Sequence, residues 1–94
     1  MQHVREKIES RQKMLLKVIG ELIYEKRKSK NKGILLLGYE FDIPNSSIAL
    51  LEKGKRDVQI TTLWKIANAL GFTFSDFIKE IEYRLPKDFK LIDD

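Results

Sequence analysis

Asn45-Ser46-Ser47 sets three small polar side chains in a row, and Lys53, Lys55 and Arg56 follow a few residues on. Amides and hydroxyls of this size can bond base edges or phosphate oxygens, and lysine or arginine neutralises phosphate charge. The chemistry these residues suit is recognition of a polyanion. Bond-making chemistry has no comparable set. Ser46 and Ser47 lack a histidine base nearby in sequence, and the single histidine is His3. There is no cysteine, so thiolate zinc ligation and a thiol nucleophile are both excluded. No His/Asp/Glu group has metal-ligand spacing. Gly33 and Gly38 have the glycine spacing of a phosphate loop, but Tyr39-Glu40 follows in place of Lys-Ser/Thr. The expectation is therefore a protein that is not an enzyme, with no metal, no cofactor and no small-molecule ligand.

Charge is unevenly placed. Residues 1–32 hold ten Lys/Arg against four Glu, residues 33–71 hold four of each sign, and residues 72–94 hold four Lys/Arg against six Asp/Glu. A basic front and an acidic rear suit a molecule that turns one face to a polyanion, although solvated helix surface gives the same balance. The longest apolar run, Ile34-Leu35-Leu36-Leu37, is far short of a membrane span. With no cysteine and no apolar signal region at the N-terminus, the expected location is the cytoplasm.

The elements that must carry these groups read as helices. Leu15, Ile19, Leu22 and Ile23 recur at helical period over residues 12–28, and Lys26, Arg27 and Lys28 close that helix where cations suit its dipole. Val4 and Ile8 continue the stripe, but Arg11 and Gln12 interrupt it, so residues 1–11 are expected to be a frayed or loosely packed helical extension. A second helix over 34–41 ends at Asp42-Ile43-Pro44. A third runs to Glu52 and stops at Gly54, and a fourth covers 60–70 with Ile60, Leu63, Ile66, Ala67 and Leu70 on one face. Thr73 and Asp76 form a capping pair opening a fifth helix that Pro86 ends. No segment alternates over strand length, so the expected fold is all-α, a five-helix bundle over 12–85 with a tail at 86–94. Residues 33–54 form two short helices about a tight turn. Gly38 inside the first of them costs about 1 kcal/mol against alanine, which close approach of the second would justify. Ile43, Ile48 and Leu51 can turn inward to lock the pair.

Ile48-Ala49-Leu50-Leu51-Glu52-Lys53-Gly54-Lys55-Arg56, then Leu63-Trp64-Lys65-Ile66-Ala67-Asn68-Ala69-Leu70-Gly71, then Thr73-Phe74-Ser75-Asp76-Phe77-Ile78 stand in order over residues 15–81. Together they resemble the Cro/repressor-type helix-turn-helix family, also called the xenobiotic-response-element family. The resemblance implies a lambda-repressor-like fold whose third helix enters the major groove of double-stranded DNA. It also implies a transcriptional regulator, by expectation a repressor. Carried onto this chain, it puts Arg27 at a phosphate-meeting position and Asn45, Ser46 and Ala49 at base-facing positions of the third helix, with Pro44, Ser47 and Leu50 beside them among the expected DNA-binding residues. Lys53, Lys55 and Arg56 fall where the family grips the backbone, and Thr61 where the fourth helix touches a phosphate. Glu52 is expected to tie the helix end to a neighbouring backbone or basic group. Ile34 stands at the family's DNA-positioning glutamine, so that polar contact is missing. Leu50, often polar or basic in the family, can meet a thymine methyl or pack against protein. Trp64 is expected to be a partly buried ring at the domain edge. Phe77, Ile81 and Leu85 are the expected two-fold contact of a homodimer, with a palindromic operator as its partner. The apolar Ile34 and Leu50 keep a second reading open, a protein-interaction or antitoxin-like module on the same scaffold.

Overall fold

α1 spans Gln2–Ser29, α2 Ile34–Phe41, α3 Asn45–Glu52, α4 Ile60–Ala69 and α5 Phe74–Arg84. This computed structural model describes residues 2–93, with side chains described from Glu9 onward. The side chains of His3, Val4 and Ile8 lie outside the described residues. Among those described there is no strand, and no helix is long and apolar enough to cross a membrane. α1 runs unbroken through the stretch expected to be a frayed or loosely packed helical extension, because residues 2–12 contain neither glycine nor proline to stop it. At 1.5 Å per residue its 28 residues give about 42 Å, which accounts for the 44 Å long axis of the molecule.

α1 packs on α3 and α5, α2 packs on α3 and α4, and α4 packs on α5. Their apolar faces meet in one core: Leu22 and Ile23 of α1, Leu37 of α2, Ile48 and Leu51 of α3, Ile66 and Ala67 of α4, Phe77 and Ile81 of α5. Phe72 meets Phe77 edge-on at 5.4 Å, a favoured aromatic geometry. Ile60 departs from expectation. It is the first residue of α4, ahead of the turn that reaches the core, and it remains 63% exposed.

Each helix stops for a local reason. Asp42 ends α2 in the left-handed region (φ 55°) and donates its N–H to Gly38 O, a role short polar residues tolerate better than most. Gly54 takes φ +68° after α3. Thr73 Oγ1 accepts from Asp76 N at 3.2 Å, the cap expected for α5. Gln59 precedes α4 without a side-chain cap. Beyond α5 the tail turns back along α1, where Arg11 pairs with Asp93 at 2.7 Å.

Candidate nucleic-acid interface

Two glycines allow α3 to sit where it does. A Cβ on Gly38 would overlap Asn45 Oδ1 and lie 2.5 Å from Ile43 O, so the turn closes directly onto α2. A Cβ on Gly20 would overlap Leu51 O and lie 2.7 Å from Glu52 O, so the end of α3 rests on the backbone of α1. Ile43, Ile48 and Leu51, expected to point inward, are 3%, 0% and 2% exposed. At 100° per residue, the face opposite Ile48 and Leu51 carries Ser46, Leu50 and Lys53, with Ala49 beside them. Ser46 and Lys53 are exposed, and Ala49 and Leu50 half-exposed. Neither Ala49 nor Leu50 belongs to the core or to the described apolar residues packed around it.

Cations border this face. Lys53, Lys55 and Arg56 are exposed in and after the last turn of α3. Arg56 Nη1 donates to Ser47 Oγ at 3.2 Å, which orients the guanidinium along α3. Gly54 sits against α1 so closely that a Cβ there would lie 3.2 Å from Lys17 Cα. Lys17, exposed, thereby joins the group. Nothing in its spacing marks Lys17, because the approach of Gly54 to α1 is a tertiary fact. Thr61 is exposed in the first turn of α4, and Pro44 and Asn45 are exposed at the start of α3.

Other expected residues are placed elsewhere. Arg27, expected to meet phosphate, is 6% exposed and held inside the protein. Its Nε and Nη2 donate to the two Glu52 carboxylate oxygens at 2.6 and 2.8 Å, and Nη1 donates to Lys32 O at 2.9 Å. The hydrogen bonds to Glu52 push the Arg27 pKa above the ordinary guanidinium value, against burial, which acts the other way. Glu52 thus has its basic partner, and the pair clamps α1 to the end of α3. Ile34 packs partly against the core, which fits an apolar residue at that position. Phe77 and Ile81, expected at a two-fold contact, are 0% and 3% exposed within the single chain, because they fill the space between α1 and α4. They have no area to give a second copy. Leu85 is half-buried against the same core. Trp64 is 50% exposed and lies flat on Phe74, ring centroids 4.3 Å apart, at the domain edge.

Among the described residues no group of His, Cys, Asp or Glu could hold a metal ion. What the arrangement can do is present a convex, mostly uncharged helix face to a grooved partner and hold four cations against that partner's anionic rim. A family model described as helix-turn-helix matches residues 23–77. No curated protein and no solved structure matches the chain.

Proposed function

The chain belongs to the Cro/repressor-type helix-turn-helix family of DNA-binding regulators, and from that premise we propose that it binds one double-stranded DNA sequence as a homodimer and represses transcription in the cytoplasm. The observation that carries this reading is the exposed face of α3 bordered by Lys17, Lys53, Lys55 and Arg56. Such cations supply affinity by releasing counterions from phosphate, and the helix face supplies selectivity. Thr61 adds a hydroxyl beside the phosphate track. Two copies related by a two-fold axis would present two α3 helices to a palindromic site, with half-site centres about 34 Å apart. With Phe77 and Ile81 enclosed, the apolar area left for the dimer contact includes Leu85 and the exposed pair Ile60 and Trp64, one turn apart on α4.

In vitro selection from a random duplex pool tests the proposal, followed by gel shifts at low and moderate salt. A recurring motif with two half-sites and steep salt dependence is the expected result. Lys55→Ala and Arg56→Ala should each weaken binding to every duplex alike and lower the log–log salt slope by about 0.9. Absence of duplex binding at low salt would favour a second reading, a protein-interaction or antitoxin-like module. The outer face of α2 supports that alternative, since Leu35, Leu36 and Tyr39 are 73%, 49% and 89% exposed.

A further inference from the structure

Two of the three polar side chains that open α3, Asn45 and Ser47, have an oxygen against protein atoms, although Asn45 and Ser46 are exposed. Asn45 carries the only amide on this helix, and its Oδ1 lies against Gly38. A bidentate adenine contact needs that oxygen to accept from the base while the amide nitrogen donates. Ser47 Oγ accepts from Arg56. The side chains on the face opposite Ile48 and Leu51 are Ser46, Ala49, Leu50 and Lys53, and Ile34 at the start of α2 adds no polar group. In the major groove, only a thymine presents an apolar group, its 5-methyl. Ala49 and Leu50 are partly exposed, outside the described core packing, and on the face opposite Ile48 and Leu51.

We propose that α3 reads thymine methyl groups, with Leu50 and Ala49 as the specificity-determining side chains. The inference rests on the DNA-binding reading above and narrows it: the preferred half-site is marked by thymines at the positions these two residues cover. Seating one methyl against an alkyl side chain favours thymine over its demethylated form about fourfold. Uracil keeps every hydrogen-bonding group of thymine and lacks only that methyl, which makes it the direct probe.

The experiment takes the duplex selected by the full chain and replaces each thymine in turn by deoxyuridine. Affinity is then measured for the unaltered protein and for Leu50→Ala. At one or two thymines per half-site the unaltered protein should bind the uracil duplex about fourfold more weakly. Leu50→Ala should bind the thymine and uracil duplexes nearly equally at the position Leu50 covers. Equal binding of thymine and uracil duplexes by the unaltered protein at every position overturns the inference while leaving DNA binding intact. Discrimination that survives Leu50→Ala removes Leu50 from the role. Failure to bind any duplex at low salt overturns the DNA-binding reading and this inference together. The deoxyuridine series needs no variant protein, so it decides the matter whatever Leu50→Ala does to the fold.

Discussion

Arg27 and Glu52 form a bidentate pair with side chains 7% and 8% exposed. Removing one partner from such a pair leaves an unpaired charge in a dry site, at a cost of about 3–5 kcal/mol. Small domains have about 5–15 kcal/mol in total, so Glu52→Gln should shift the urea midpoint sharply downward. Lysine cannot reproduce the planar fork, so Arg27→Lys should also destabilise. Replacing both at once, Arg27→Met with Glu52→Leu, should destabilise less than Glu52→Gln alone, because no charge is then stranded. DNA binding supplies the complementary check. For the folded fraction of the Arg27→Met, Glu52→Leu variant, which lacks the charge at position 27, the salt slope should equal that of the unaltered protein. A slope lowered by about 0.9 would return Arg27 to the phosphate contacts. The sequence marks Arg27 as a cation near a helix end and cannot show where its charge goes, since Glu52 stands 25 residues away. Phe77 and Ile81 raise the same difficulty: helical period identifies an apolar face without saying which neighbour covers it.

At the scale of elements, α1 is a platform for α3. Gly20→Ala would drive a methyl into the carbonyls of Leu51 and Glu52, which cannot retreat without unwinding α3. A loss of about 1–3 kcal/mol is expected by denaturant unfolding. Several helix boundaries were legible in the sequence because they are locally encoded, Gly54 and Pro86 as stops and Thr73 with Asp76 as a cap, and Gly38 was legible as a close approach. The seat at Gly20 was not legible, since a glycine within a helix carries no record of which backbone crosses it. α1 is also fastened to α5. Arg84 bonds Glu25, and that hydrogen bond holds the Glu25 carboxyl below its ordinary value of 4.5. A lowered carboxylate pKa contributes stability that is present above about 4.5 and lost as pH falls through the lowered value. Unfolding midpoints followed from neutral to acid pH should therefore fall, and Glu25→Gln should flatten that fall slightly, since the pair is exposed.

For the whole molecule, size sets the terms. A chain of 94 residues buries a modest fraction of its surface, and a dimer that hides Ile60 and Trp64 would add to that. Sedimentation over a range of concentrations should show monomer giving way to dimer, and Trp64→Lys should hold the protein monomeric with its helix content unchanged. Phe77→Ala should instead lower stability by about 3–5 kcal/mol at every concentration, since its ring fills the core of a single copy. The division of charge between a basic front and an acidic rear was readable from composition. That Lys17 of this basic segment stands beside the end of α3 was not, because that depends on the close approach of Gly54 to α1.

α3 divides its labour between two sides that share no residue. Ile48 and Leu51 hold it in place from one side, while Ser46, Ala49, Leu50 and Lys53 look away from the bundle on the other. Mutations can therefore accumulate on the outer side at little cost to folding. On the DNA-binding reading proposed above, a lineage built on this scaffold is free to change its target sequence by one or two exchanges, and an engineer can do the same, treating positions 46, 49 and 50 as an interchangeable reading head on a fixed mount.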